Sequence, residues 1–223
     1  MSGVWALIPV KAPDRSKTRL GPLLQPTECA QLSVAMLTDV MRALENAKSI
    51  DEIALVTDDQ SIAALALQAG HRVIDDESDD LCVGLNRAAK IVAGLGAKTI
   101  IILPGDIPTI TAANIDTLVA RHTGGLSICP AIRDGGTNAL LCTPPAAVPF
   151  CYGKNSADRH LAAARKKGVS TSRLPVPAFF RDIDLPDDLI WLSNQTSADN
   201  TLSFLRRSGI NARLKPAAIG GSL

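Results

Sequence analysis

Short, nearly continuous apolar runs alternate with segments of helical periodicity along almost the whole chain, and that alternation restricts it to an α/β architecture. Val4 to Val10 reads as a strand buried on both faces of a parallel sheet, because the run is apolar throughout and a polar loop ends it. Pro26-Thr27 opens a long helix, with Thr27 as N-cap and Leu32, Ala35, Met36, Val40 and Leu44 at helical spacing. Ile53 to Thr57 reads as a second strand, Gln60 to Ala69 as a helix stopped by Gly70, and Arg72 to Ile74 as a third strand.

The rhythm continues. Gly84 to Leu95 is helical, and Thr99 to Leu103 is the most strand-like run, predicted to be central and ending at Pro104-Gly105-Asp106. A helix from about Thr111 to His122, strands at Leu126 to Pro130 and Asn138 to Cys142, a helix from Ser156 to Lys167 and a short helix from Pro186 to Leu192 follow. From about residue 195 the chain is polar, apart from an amphipathic piece around Leu202 to Arg207, and this tail is expected to be peripheral or partly disordered. No Gly/Pro/Ser-rich linker divides the 223 residues, and 46% hydrophobic content can fill one core, so the expectation is a single domain over residues 1–223. In such sheets ligands bind beyond the carboxyl ends of the strands, which directs attention to the loops after Val10, Thr57, Leu103 and Pro130.

Composition excludes several functions. Twenty-three Lys and Arg against 22 Asp and Glu leave a net charge of +1, too little to draw in nucleic acid or an anionic membrane, so a bound anion needs a local site. Aromatic residues at 3% argue against base stacking on an aromatic platform. Five cysteines without a C-x-x-C pair and three dispersed histidines argue against zinc and structural disulfides. No run approaches the length of a membrane span and no leader pattern precedes Val4, so the chain reads as cytoplasmic.

Three constellations carry chemistry. The loop after the first strand concentrates Lys11, Arg15, Lys17 and Arg19, the inventory of a polyphosphate clamp, although a solvated loop offers the same charges. It lacks both G-x-x-x-x-G-K-[ST] and G-x-G-x-x-G, so a P-loop ATPase and a dinucleotide-dependent dehydrogenase lose their defining feature. Asp106 follows the central strand, and Asp182 and Asp184, at i and i+2 of an extended segment, face one side; the three offer oxygen ligands that suit Mg²⁺. The plainer alternative makes Asp106 a turn residue and Asp184 part of a helix start. Gly135-Gly136-Thr137-Asn138 and Gly153-Lys154-Asn155-Ser156 expose backbone N–H groups and look like an acceptor pocket, with a plain turn and a plain N-cap as the alternatives. Gly84-Leu85-Asn86 at another helix start is a weaker ligand signal.

No Ser-His-Asp or Cys-His arrangement stands out, and His160 lies within a helix. A phosphomonoester acceptor needs no base, since its second pKa near ~6 leaves it an anionic nucleophile at neutral pH.

Together the motifs resemble the guanylyltransferases of deazaflavin coenzyme (coenzyme F-420) biosynthesis, which attach GMP to a small phosphorylated three-carbon acid. The resemblance runs in order through Ile8-Pro9-Val10-Lys11, Lys17-Thr18-Arg19-Leu20, Gly84-Leu85-Asn86, Leu103 to Pro108, Gly135 to Leu140, Gly153 with Ser156 and His160, and Asp182-Ile183-Asp184 with Pro186 and Asp188-Leu189. It spans about residues 4 to 192 and leaves the tail outside; Gly105 stands where the family often has Ala. It implies a nucleotide-diphospho-sugar transferase-like fold, similar to the molybdenum-cofactor guanylyltransferases: a three-layer α/β sandwich with a mostly parallel sheet. It also implies Mg²⁺ on Asp106, Asp182 and Asp184, and an acceptor on Thr137, Gly153 and Ser156.

The expected reaction is transfer of GMP from GTP to 2-phospho-L-lactate, phosphoenolpyruvate or 3-phospho-D-glycerate, with pyrophosphate released. Lys17, Arg19 and Asp106 are the expected catalytic residues, and Pro9, Lys11, Arg15, Lys17, Arg19, Asn86 and Asp106 the expected nucleotide contacts. Preference for GTP rests on the resemblance alone. The partners expected are the two substrates, no nucleic acid and no membrane; the downstream transferase of the pathway is a further candidate, and the residues leave the oligomeric state open. Two other readings stay open: a sugar nucleotidyltransferase or D-x-D glycosyltransferase, and a non-catalytic nucleotide-binding protein of the same fold.

Overall fold

The computed structural model describes residues 3–13, 17–76, 78 and 80–214. Seven strands form one sheet: β1 Val4–Pro9, β2 Glu52–Thr57, β3 Arg72–Asp75, β4 Thr99–Ile102, β5 Gly125–Pro130, β6 Thr137–Thr143 and β7 Thr171–Arg173, in the order β3-β2-β1-β4-β6-β5-β7. β4 is the central strand, as its unbroken Thr-Ile-Ile-Ile run predicts. Pairing is parallel except on either side of β6, which runs against both β4 and β5. β6 is therefore the one reversed strand, and its amino end lies on the same sheet edge as the carboxyl ends of β1, β4 and β5.

Two helical layers cover the sheet, and alternate strand residues divide between them. Val4, Ala6 and Ile8 of β1 pack with α1 (Pro26–Glu45), α2 (Gln60–Gln68) and α4 (Ala112–Ala120). Trp5 and Leu7 pack with α3 (Leu81–Gly94) and α5 (Ser156–Lys166) on the other face. This is the expected three-layer sandwich. No helix among the described residues is long and apolar enough to cross a membrane.

Several boundaries differ from the sequence reading for local reasons. α1 is capped by Gln25, with Pro26 as its first residue and Glu28 closing a capping box, so Thr27 lies inside the helix. α3 begins at Leu81, three residues before Gly84, because Asp80 accepts from the N–H groups of Cys82 and Val83. β7 escapes the sequence reading because it is three polar, half-exposed residues on the sheet edge.

The largest difference is the segment after residue 195. Residues up to 214 form α7 (Asp199–Arg207) and α8 (Ile210–Leu214), which pack with α6 (Pro186–Ser193) against the outer face of α1. Cys29, Leu32 and Met36 of α1 meet Leu189, Leu202, Leu205 and Ile210 there, so α1 carries a second apolar stripe besides the one facing the sheet. The buried Asp39 completes the joint: its carboxylate accepts from the N–H groups of Asn200 and Thr201, the Thr201 hydroxyl and the Asn200 amide, satisfying the start of α7 from another helix. Replacement Asp39→Ala strips four hydrogen bonds from one buried group and is expected to lower stability by about 2–3 kcal/mol. Chemical denaturation monitored by circular dichroism checks this; an unchanged midpoint would show α7 to be held by its apolar contacts alone.

Candidate active site

The carboxyl ends of β1 and β4 place the central group. After β1 the chain passes through Val10 and Lys11 and returns at Lys17, which has left-handed backbone angles (φ 56°, ψ 30°) and precedes a 3-10 turn, Thr18–Leu20. The fully buried Leu20 anchors that turn, and the Cys29 thiol donates to the Lys17 carbonyl at 3.6 Å. Thus pinned, Lys17 turns its side chain inward, and Nζ lies 2.6 Å from Asp106 Oδ2 and 2.6 Å from Asp184 Oδ1.

Asp106 arrives from the loop after β4, and its carbonyl accepts from the Ile183 N–H at 3.0 Å. Ile183 is fully buried, so Asp182 and Asp184 flank an anchored residue and face the same side. Carboxylate oxygens of Asp106, Asp182 and Asp184 lie within 4.8 Å of one another. The i, i+2 reading of Asp182 and Asp184 thus describes the geometry, although Asp188 of α6 also binds the Asp184 and Leu185 N–H groups. Arg133 in turn holds the buried Asp188 through Nη2 at 2.5 and 2.6 Å. The sequence does not announce this Arg133–Asp188 support: Asp188 reads there as an acid in a first helical turn and as part of the motif around Asp182 and Asp184.

The electrostatics follow from crowding. Burial, then the charges of Asp106 and Asp184, raises the Asp182 carboxyl to about 6. Burial also works against ionised Asp184, but the Lys17 contact outweighs it and holds that carboxyl below its ordinary value, with Arg19 contributing from the rim. Burial would lower Lys17, yet the two carboxylates raise it, so it stays an ammonium.

The other expected residues fall into two groups. Pro9, Lys11, Lys17, Gly105 and Asp106 line one cleft of about 150 Å³ against Met36 and Leu37. Lys11 reaches the buried Asp76 and the Ser78 carbonyl, each at 2.8 Å, so only part of the expected cationic clamp is turned to the cleft. Gly84 serves that pair: a Cβ there would come within 2.2 Å of an Asp76 carboxylate oxygen. Arg15 lies outside the described residues. Asn86 commits its amide to Cys82 and to both backbone groups of Phe150, pinning the loop before α5 onto α3.

Thr137, Ser156 and His160 form a second cluster. The Cys151 N–H donates to His160 Nε2 at 2.8 Å, which assigns the hydrogen of the neutral ring to Nδ1 and directs it to Thr137 Oγ1 at 3.2 Å. Thr137 is then free to donate to Ser156 Oγ at 2.9 Å. Gly153 (φ 111°) makes the turn into α5, and its carbonyl accepts from the Ser156 N–H. Residues 131–136 tie the clusters together: Ile132 bonds Phe180, Arg133 bonds Asp188, and the carbonyls of Asp134 and Gly135 accept from Asn155 and Ala157.

An acidic triad beside a buried lysine, on the carboxyl edge of this sheet, is the candidate active site. The fold is shared with a Desulfovibrio desulfuricans G20 protein provisionally described as a nucleotide-diphospho-sugar transferase, at TM-score 0.78 and 20% identity over 97% of this chain and 98% of that one. The family model for CofC-like guanylyl transferases matches residues 4–220, and the chain belongs to that family. The match runs through α7 and α8, beyond the limit near residue 192 read from motifs alone. A phosphoenolpyruvate guanylyltransferase of Roseiflexus castenholzii is 35% identical over 92% of this chain and 97% of its own length. A 3-phospho-D-glycerate guanylyltransferase of Colwellia psychrerythraea is 31% identical over 82% and 88%. The chain is accordingly a nucleotidyltransferase of the guanylyltransferase type.

His160 generates a pH prediction. Burial depresses it to about 4 from an ordinary 6.5, so the unfolded chain takes up this proton before the folded one. Stability from the neutral ring is complete above pH ~6.5 and is lost as pH falls through about 4, by on the order of 3 kcal/mol. Denaturant midpoints between pH 7 and 4 should fall in the wild type and fall less in His160→Gln; equal slopes would contradict the assignment.

Proposed function

We propose that the enzyme transfers GMP from GTP to a small phosphorylated three-carbon acid, releasing pyrophosphate, as a step of deazaflavin coenzyme biosynthesis. The single observation that carries this reading is Asp106, Asp182 and Asp184 converging beside Lys17 in a member of the CofC-like family. Both acceptors named among the relatives pair a phosphate with a carboxylate on three carbons, and the proposed acceptor is an acid of that class.

Three carboxylates and no nitrogen or sulfur donor suit a hard divalent ion such as Mg²⁺. Asp106 Oδ1 supports the fit, being buried without a hydrogen-bond partner among the described residues. The residues that would hold the ion are Asp106, Asp182 and Asp184. Bound there, Mg²⁺ would supply charge neutralisation for the triphosphate.

The chain's own groups then have distinct tasks. Lys17 exchanges its carboxylate partners for phosphate oxygens, and Arg19, with Arg15 and Lys11, adds positive charge against the leaving pyrophosphate. Pro9 borders the nucleotide cleft, and Asn86, its amide committed to Cys82 and Phe150, braces the loop before α5. Thr137, Gly153 and Ser156 orient the acceptor, which is consistent with the ordered hydroxyl chain fed by His160. A phosphate oxygen of the acceptor attacks the α-phosphorus while the bond to the β-phosphate oxygen breaks. No proton moves, because the acceptor is already an anion near neutral pH. Neutral His160 therefore has a positioning role.

Pyrophosphate release measured with GTP, MgCl₂ and each of the three phosphoacids in parallel, coupled to a downstream acceptor-transferring enzyme, tests the reading. Release with at least one acid is expected, and Asp106→Asn should reduce it by about 10³-fold or more while leaving the circular dichroism spectrum unchanged. GTP binding without release for any acid would favour the sugar-transferring or non-catalytic alternatives.

A further inference from the structure

A second cavity, of about 390 Å³, adjoins the triad at Asp182. Ile132, Arg133, Phe180, Arg181, Asp182 and Trp191 line it. Arg133 holds Asp188 and Arg181 has no role in the proposed reaction so far, yet both are built into place. The Arg181 guanidinium stacks over the Trp191 ring at 4.9 Å. Among the described residues it has no hydrogen-bond partner, its nearest carboxylate oxygen being on Asp188 at 3.6 Å. Arg133 spends only Nη2 on Asp188, leaving its other N–H donors unspent in that contact.

Charge counting gives the cavity a direction. Arg133 and Arg181 face two carboxylates, buried Asp188 and triad member Asp182, so the walls are near neutral. A cation on the triad would cancel Asp182 and leave a net positive cavity. The attacking group of the reaction is a phosphate, which has to stand beside that cation and bring its remaining oxygens with it. Planar guanidinium groups match such oxygens in pairs.

We propose that Arg133 and Arg181 grip the non-attacking oxygens of the acceptor's phosphate in this cavity, with Trp191 holding Arg181 in its stacked position. The inference rests on the phosphoacid reading of the function and adds where the nucleophile is held. It makes acceptor binding depend on the metal, because only the loaded triad turns the cavity positive.

The test uses the full chain with Arg181→Gln and Arg181→Lys, which leave the Arg133–Asp188 pair intact. With MgCl₂ present, Arg181→Gln should raise KM for the phosphoacid about 10- to 100-fold, leave KM for GTP within about twofold, and be partly rescued by Arg181→Lys. Calorimetric titration of each phosphoacid into wild type and Arg181→Gln, with and without MgCl₂, reads the same contact without turnover: the wild type should bind more tightly with the ion, and the variant should lose that gain. Equal phosphoacid affinity in folded wild type and Arg181→Gln overturns the inference, as does an equal rise of both KM values. A wild type that binds a phosphoacid in an Arg181-dependent way but turns none over would overturn the guanylyl-transfer reading while leaving this contact standing.

Discussion

The site depends on a single ammonium group. Three carboxylates converge at one corner of the sheet, and without a counter-ion their mutual repulsion and partial burial would force them apart or protonate them. Lys17 bridges two of them at 2.6 Å each, and Asp182, the one it does not reach, is the carboxyl pushed up to about 6. The bridge joins three stretches of chain far apart in sequence: the loop after β1, the loop after β4 and the segment before α6. The left-handed backbone at Lys17 is where a local conformational cost meets a functional requirement, since it turns the side chain inward.

Around that bridge the fold supplies two sides. β6 runs against its neighbours, so Thr137 at its start lies on the same edge as the ends of β1 and β4, and the reversed strand brings the hydroxyl cluster to the triad side. The loop before β6 then works as a crosspiece, touching the 180–188 segment with Ile132 and Arg133 and the start of α5 with Asp134 and Gly135. α1 is shared in the same way, with one stripe on the sheet and one under α6, α7 and α8. The helices after residue 195 thereby brace the helix that carries Met36 and Leu37 to the cleft beside Lys17.

Legibility in the sequence followed how local each signal was. The order of the strands other than β7 and of the helices as far as α6, the central place of Thr99 to Ile102 and the shared face of Asp182 and Asp184 depend on period and burial within a few residues, and these are readable. Partner choice is not. Nothing within ten residues of Lys11 announces Asp76, and Asn86 reads as a ligand contact although its amide braces Phe150. The Arg133–Asp188 pair spans 55 positions. The segment after residue 195 reads only as a peripheral tail with an amphipathic piece because α7 is short and polar on one face, and the contact of its buried Thr201 with Asp39 lies 162 positions away.

On the proposed reaction, Lys17 occupies the place of the divalent cation until a triphosphate draws it away. Titration of Mn²⁺, as a paramagnetic stand-in for Mg²⁺, into the nucleotide-free enzyme measures this most directly. Free Mn²⁺ followed by electron paramagnetic resonance should show weak binding to the wild type and at least about tenfold tighter binding to Lys17→Met, since each 1.4 kcal/mol of removed competition is worth a factor of ten. Equal or weaker Mn²⁺ binding by a folded Lys17→Met would contradict it, and would make the lysine a fixed member of the acidic cluster.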